Sequence, residues 1–102
     1  IVSVEADLVN AVIARSLVEL AGLSEAVTVR LGHTEDALPA LREELGPGAF
    51  EMVFMDHCGG SFHADLARLE GLGLLAERCV VVADNVLVPG APLYLWRVCR
   101  GP

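Results

Sequence analysis

The sequence predicts an α/β fold in which a parallel sheet is flanked by helices. Four runs rich in β-branched and other apolar residues alternate with stretches whose apolar positions have helical spacing. Strands that alternate with helices form βαβ units with right-handed crossovers. The last two runs are apolar throughout, which is typical of parallel strands covered on both faces.

The first part of the chain contains a strand, a helix and a second strand. A β-rich run occupies residues 1–4, and residues 7–21 have apolar side chains at helical spacing. Gly22 follows directly and is placed to end this helix, because glycine adopts the left-handed conformation that helix ends require. The second β-rich run covers residues 27–31.

The remaining elements follow the same alternation. A second helix opens at Thr34, a predicted N-cap followed by two acids, and ends at the Gly-Pro-Gly turn of residues 46–48. The third strand is predicted at 52–55 and the fourth at 79–83, with a leucine-containing helix between them.

The composition excludes several classes of function. Fourteen acids stand against seven bases, all arginine, so the chain has a formal charge of −7 and no lysine. Nucleic-acid binding is not expected, since it depends on clustered basic side chains. Chemistry that requires a lysine base or Schiff base is excluded for this chain alone.

The cysteine pattern and the absence of a long apolar run predict a cytoplasmic protein. Cys58, Cys79 and Cys99 are an odd set without CxxC spacing, which fits free thiols in a reducing compartment. No secretory leader or membrane-spanning run is recognised within the chain. The first residue is not methionine, and both ends are expected to be incomplete, so an upstream anchor or signal stays open.

Polar residues follow every predicted strand, at the edge of a parallel sheet where ligands bind. They are Glu5, Gly32-His33-Thr34, Asp56-His57 and Asp84-Asn85. Each also has an ordinary structural explanation: Glu5 can favour a helix N-terminus through its charge, Thr34 can be a plain cap, and Asp84-Asn85 can be a turn.

Three of these residues form a set of hard oxygen ligands. Asp56, Asp84 and Asn85 supply two carboxylates and an amide oxygen, provided that the third and fourth strands are neighbours. Mg²⁺ prefers such ligands, so the set predicts a magnesium site.

Several stretches together resemble the S-adenosylmethionine-dependent methyltransferases of the catechol O-methyltransferase family. These are Val4-Glu5, residues 27–32 with Thr34-Glu35-Asp36, residues 51–57, residues 83–86 and residues 89–92. The resemblance runs over nearly the whole chain. It implies a Rossmann-like methyltransferase fold and makes residues 1–102 a single partial domain without the N-terminal glycine-rich cofactor loop.

The resemblance also implies roles for individual residues in holding the cofactor. Glu5 would accept hydrogen bonds from the ribose hydroxyls of S-adenosylmethionine, and the loop from Gly32 to Glu35 would line the adenine pocket, with a hydrogen bond from Thr34. His57 would lie near the cofactor, to which Asp56 also contributes.

The same resemblance assigns Mg²⁺ to Asp56, Asp84 and Asn85, with a small-molecule catechol as substrate. The metal would chelate both catechol oxygens and lower the pKa of one hydroxyl, which then attacks the sulfonium methyl in line. Asn85 would also contact the substrate, and Pro89 would help to wall the catechol ring.

The chain departs from the family pattern directly after Asp56-His57. The family has an aromatic residue against the adenine and then a lysine as general base, whereas this chain has Cys58 and Gly59. The C-terminal acid that contacts the catechol in the family is also absent.

Three hypotheses of function follow. The first is a Mg²⁺-dependent catechol O-methyltransferase with weakened activity. The second keeps the fold and the cofactor pocket without catalysis; a Gly59→Lys variant should raise turnover only under the first. The third is a phosphoacceptor receiver domain, suggested by the acids Glu5 and Asp7 and by Asp56 at a strand end, but receivers need a lysine that this chain lacks.

Overall fold

A computed structural model describes residues 1–100 of the chain. Its strands and helices are β1 (Val2–Glu5), α1 (Leu8–Leu20), β2 (Thr28–Leu31), α2 (Thr34–Leu45), β3 (Phe50–Met55), α3 (Phe62–Gly71), β4 (Leu75–Ala83) and α4 (Pro92–Arg100). The predicted α/β class with parallel strands and flanking helices is confirmed. The chain divides into two compact units, one of residues 1–40 and one that begins at Leu41. The single partial domain over residues 1–102 stays a prediction.

The first unit contains the parallel pair β1–β2, with Val2 opposite Thr28 and Glu5 opposite Leu31. Helix α1 joins the two strands and is capped at its N-terminus by Asp7, whose carboxylate accepts a hydrogen bond from the amide of Asn10. It ends as predicted, because Gly22 has a φ of +74°.

The amide of Gly22 donates to Glu19 and that of Leu23 to Val18, both at 3.0 Å. This is the Schellman arrangement, which satisfies the last carbonyls of the helix.

The start of α2 differs by one residue from the prediction. The carbonyl of His33 accepts the amide of Ala37 at 2.9 Å, the first hydrogen bond of the helix. His33 therefore holds the N-cap position and Thr34 is the first helical residue. The expectation of a threonine N-cap was wrong. The helix begins one residue earlier than the N-cap preference of threonine suggested.

The second unit contains the parallel pair β3–β4, in which Met52 to Met55 lie opposite Val80 to Ala83. Strand β4 begins at Leu75, four residues earlier than the apolar run 79–83 that predicted it. Below one face of this pair lies a buried cluster of Met55, Phe62, Leu66, Ala91 and Tyr94. The cluster places the carboxyl end of β3 and the start of α3 in one packed body.

The other face of this pair is not covered as the apolar runs predicted. Met52, Phe54 and Val80 are 57–63% exposed, whereas Val53 and Val81, on the opposite face, pack on the buried cluster. Residues alternate between the two faces of a strand, and only one face carries helices of this unit. None of the helices among residues 1–100 has both the length and the apolar character needed to cross a membrane.

Candidate functional site

The carboxyl ends of β3 and β4 place two predicted metal ligands side by side. Met55 and Ala83 are register partners, and the amide of Asp84 donates to the carbonyl of Met55 at 3.0 Å. Asp56 and Asp84 are therefore the first residues beyond paired positions, and both are exposed. The condition attached to the sequence prediction, that the third and fourth strands be neighbours, is met.

The third predicted ligand, Asn85, has a left-handed backbone conformation with φ 59° and ψ 31°. Asparagine tolerates this region better than most residues. Its amide donates to Oδ1 of Asp84 at 2.7 Å, and its carbonyl accepts the amide of Gly90 at 3.1 Å. The turn that follows, Val86–Gly90, contains the exposed Pro89 after a cis peptide bond.

These residues, the β3–β4 edge (Asp56, Asp84 and Asn85), fit a hard divalent cation by the chemistry of their donors. Within residues 1–100, no group of three or more His, Cys, Asp or Glu side chains is arranged to hold a metal. The β3–β4 edge has only two carboxylates and needs the amide of Asn85 to complete a set of oxygen donors. Two carboxylates with room for water are typical of Mg²⁺ sites.

Four predicted cofactor residues lie at or just beyond the carboxyl ends of β1 and β2 in the first unit. The carbonyl of Glu5 accepts the amide of Gly32 at 2.9 Å, and Oε1 of Glu5 accepts the amide of Asp7 at 3.0 Å. Gly32 has a φ of +150°, which favours glycine. Thr34 and Glu35 begin α2 directly afterwards. We call Glu5, Gly32, Thr34 and Glu35 the β1–β2 edge.

His57 is held by a buried carboxylate that sequence reasoning missed. Its Nε2 lies 2.6 Å from Oδ2 of Asp65, and Nη1 of Arg68 donates to Oδ1 of the same carboxylate at 2.7 Å. The His57 ring also packs at a tilt on Phe62, with 5.0 Å between the ring centroids. Asp65 is only 2% exposed. We call His57, Asp65 and Arg68 the His57 anchor.

A signal for this anchor is present in the sequence. Asp65 shares the helical face of Phe62, Leu66 and Leu69, which are all buried in α3. An acid inside an apolar stripe requires partners, because a buried charge is stable only when it is paired. The stripe alone does not say that one partner is a residue of the preceding loop.

Gly59 packs closely against the turn that follows β4. A Cβ atom at this position would lie 2.5 Å from the carbonyl oxygen of Gly90 and 3.3 Å from the Cβ of Ala91. The loop after β3 and the turn after β4 are therefore in direct backbone contact, and both carry residues predicted to bind ligands.

Comparison with known proteins connects this geometry to a family. No family model matches the chain. It is 44% identical over 85 residues to the catechol O-methyltransferase of Bos taurus, an alignment that covers 83% of this chain and 31% of that protein. It is 42% identical over 89 residues to the catechol O-methyltransferase of Sus scrofa, covering 87% of this chain and 48% of that protein.

The chain is homologous to the catechol O-methyltransferases.

Its homology also extends to a protein with a different name. Over 96 residues, or 93% of the chain, it is 36% identical to the transmembrane O-methyltransferase of Homo sapiens, of which it covers 33%. The chain thus spans between about a third and a half of the length of these relatives.

For this catechol O-methyltransferase homologue, the geometry at Gly59 overturns one expectation about testing. A Gly59→Lys variant was expected to raise turnover only if the chain is a methyltransferase with weakened activity. The carbonyl of Gly90 occupies the space that the new Cβ would need. A lysine at position 59 would displace the turn after Asn85, so its effect on turnover cannot be separated from damage to the β3–β4 edge.

Proposed function

We propose that the protein is an S-adenosylmethionine- and Mg²⁺-dependent O-methyltransferase that methylates one hydroxyl of a catechol. One observation carries the proposal: Met55 pairs with Ala83, so Asp56 and Asp84 lie together at the carboxyl ends of β3 and β4. The chain that contains this pair of acids is homologous to catechol O-methyltransferases. A cation site at the end of paired parallel strands suits a ligand with two adjacent oxygens.

The β3–β4 edge is assigned to the metal and the acceptor. Asp56, Asp84 and Asn85 would hold Mg²⁺, which when bound lowers the pKa of a coordinated hydroxyl. The hydrogen bond from the amide of Asn85 to Oδ1 of Asp84 fixes the carboxylate relative to the turn. The exposed ring of Pro89 lies on this turn and would wall the catechol ring.

The β1–β2 edge is assigned to the nucleoside part of the cofactor, which supplies the methyl group. The carboxylate of Glu5 would accept hydrogen bonds from both ribose hydroxyls, since an ionised carboxylate is an acceptor only and both hydroxyls can donate. Gly32 allows the chain to turn closely at the end of β2, and Thr34 and Glu35 would line the adenine pocket. Asp56 and His57, which the resemblance also assigns to the cofactor, belong to the second unit.

The absence of a side chain at Gly59 sets the expected level of activity. Loss of a positioned general base costs on the order of 10²–10⁴ in rate. A hydroxyl whose pKa is lowered by a metal needs less help from a base. Slow, Mg²⁺-dependent methylation is therefore expected.

The test is transfer of a labelled methyl group from S-adenosylmethionine to a catechol by the full chain. Methylated product is expected with Mg²⁺ and is expected to disappear when a chelator is added. A phenol with a single hydroxyl serves as the control acceptor and should give little product, since it cannot chelate the metal. A complete lack of product from every catechol tested would overturn the proposal.

A second candidate is a cofactor-binding protein without turnover. The observation in its favour is Gly59, which lacks the side chain of a base and has no room for one. Calorimetric titration distinguishes the two functions: binding of S-adenosylmethionine without product from any catechol supports this candidate, and product formation contradicts it.

A further inference from the structure

The His57 anchor fixes which nitrogen of His57 carries the proton. Arg68 always carries its charge, and it donates to Oδ1 of Asp65 at 2.7 Å, so the buried carboxylate beside it is ionised and only accepts hydrogen bonds. The 2.6 Å contact between Oδ2 of Asp65 and Nε2 of His57 then requires the proton on Nε2. In the neutral ring, Nδ1 is consequently left with a lone pair and acts as an acceptor.

The position of the ring makes that acceptor available to a ligand. His57 directly follows Asp56 of the β3–β4 edge. The side chain of His57 is 42% exposed, whereas the side chain of Asp65 is only 3% exposed. Phe62 supports the ring from one side. The imidazole is therefore held in one orientation by a buried carboxylate and an aromatic ring, while part of it remains open to solvent.

We propose that Asp65 is a positioning residue for cofactor binding: with Arg68 it holds His57 in the Nε2–H tautomer, so that Nδ1 accepts a hydrogen bond from an N–H or O–H group of S-adenosylmethionine. This inference rests on the proposed function and assigns to it two residues of α3 that do not belong to either strand edge. Asp65 does not contact the cofactor and acts through His57.

Two variants separate orientation from binding. In Asp65→Asn, the amide oxygen can still accept from Arg68, but the amide nitrogen faces Nε2 and donates to it, so the ring proton moves to Nδ1. In His57→Gln, the amide nitrogen can replace Nε2 in the contact with Asp65, whereas nothing replaces Nδ1. Glu70→Gln is the matched control, because Glu70 is also an acid of α3 but pairs with Arg97 instead.

The first measurement is the tautomer of His57, read from ¹⁵N chemical shifts and long-range ¹H–¹⁵N correlations of the full chain, at a pH at which the spectra themselves show a neutral ring. The Nε2–H form is expected in the wild type and the Nδ1–H form in Asp65→Asn. This measurement requires neither cofactor nor activity. A wild-type ring in the Nδ1–H form overturns the inference, even where the Asp65→Asn variant fails to fold.

The second measurement is the affinity for S-adenosylmethionine by calorimetry. Outer-shell partners typically change affinity by roughly 10–100-fold, so we expect a roughly tenfold weaker Kd in Asp65→Asn and in His57→Gln, with Glu70→Gln unchanged. In turnover, KM for the cofactor should rise more than kcat falls. If the wild type binds no cofactor, the proposed function is overturned. If the wild type binds S-adenosylmethionine and both variants bind it with the same affinity as the wild type, only the role of Asp65 is overturned.

Discussion

The carbonyl oxygen of Met55 accepts the amide hydrogen of Asp84, with 3.0 Å between the two heavy atoms. This hydrogen bond continues the ladder of β3 and β4 one residue beyond the paired Met55 and Ala83. The exits of Asp56 and Asp84 from the sheet are thus set by the backbone and do not depend on their side chains. Substitutions of either carboxylate should leave the strand pairing intact, which makes their effects on ligand binding interpretable.

Replacement of Asp84 by Asn should weaken Mg²⁺ binding without disturbing the turn. The amide oxygen of the variant can still accept the amide of Asn85, as Oδ1 of Asp84 does at 2.7 Å. Only the negative charge is lost, and with it one proposed anionic ligand. We expect the affinity for Mg²⁺ to fall by more than roughly tenfold, since even outer-shell changes around metals reach this size. Calorimetric titration with MgCl₂ measures it.

The control for this variant is Glu77→Gln. Glu77 is an exposed acid of the same strand, β4, but lies away from its carboxyl end. The Glu77→Gln substitution removes the same charge from the protein and should leave Mg²⁺ binding unchanged. Equal losses in the two variants would show that the effect is one of overall charge and would contradict the assignment of Asp84.

Replacement of Glu5 by Gln should weaken binding of S-adenosylmethionine. The amide oxygen of the variant can still accept from Asp7, as Oε1 does at 3.0 Å, so the turn into α1 is preserved. Hydrogen bonds to a charged group are roughly twice as strong as neutral ones. We expect Kd to rise roughly five- to tenfold, or about 1–1.4 kcal/mol. Calorimetry with Glu25→Gln, an exposed acid of the same unit, as control tests this, and an unchanged Kd in Glu5→Gln would contradict the role.

The alternation of strands and helices was predictable because each element has its own local pattern. The end of α1 at Gly22 follows from glycine conformation, which the sequence expresses. The proximity of Asp56 to Asp84 was predicted only on the condition that β3 and β4 are neighbours, and the pairing of the two strands meets that condition. The partner of Asp65 was not predictable, because the contact with His57 joins a loop to a helix at a geometry that no spacing rule specifies. The exposure of Phe54 was missed for a related reason. An apolar run shows that both faces of a strand can be buried, but it does not show whether another element packs on each face.

The close contact at Gly59 was equally invisible in the sequence. The sequence shows only that position 59 is a glycine and therefore has no side chain. The distance of 2.5 Å from an ideal Cβ position on Gly59 to the carbonyl oxygen of Gly90 depends on how two loops from different strands meet. Backbone contacts of this kind leave no trace in the composition of either loop.

Truncation of Phe62 should destabilise the second unit far more than truncation of Phe54. Phe62 is 1% exposed and lies within the buried cluster, where its ring packs edge-on against Tyr94. Phe62→Ala should cost about 3–5 kcal/mol in the free energy of unfolding. Phe54→Ala removes the same atoms from a side chain that is 58% exposed and should cost about 1 kcal/mol or less. Urea denaturation measures both, and similar losses would contradict the packing described for the cluster.

Cys79 should react more slowly with a thiol reagent than Cys58 and Cys99. Burial raises the pKa of the Cys79 thiol, against a smaller lowering by a hydrogen bond to the backbone of Ala76, whereas Cys58 and Cys99 are exposed. A raised pKa reduces the thiolate fraction at a given pH, and the thiolate is the reactive form. Alkylation with iodoacetamide near neutral pH, followed by peptide mass spectrometry, should label Cys79 last. Labelling of Cys79 before the other two would contradict its environment in β4.

Introduction of a single methyl group at position 59 should destabilise the contact between the loop after β3 and the turn after β4. The new Cβ would lie 2.5 Å from the carbonyl oxygen of Gly90, and a backbone atom cannot move aside as a flexible side chain can. We expect Gly59→Ala to cost about 1–3 kcal/mol, as other overpacking substitutions do. Gly60→Ala is the control, since its Cβ would meet only the Cys58 sulfur at 3.8 Å. Thermal or urea denaturation compares them: equal stability of the two variants would mean that Gly59 and Gly90 are not in close contact, whereas a loss confined to Gly59→Ala would show that the carbonyl of Gly90 leaves no room for a side chain at position 59.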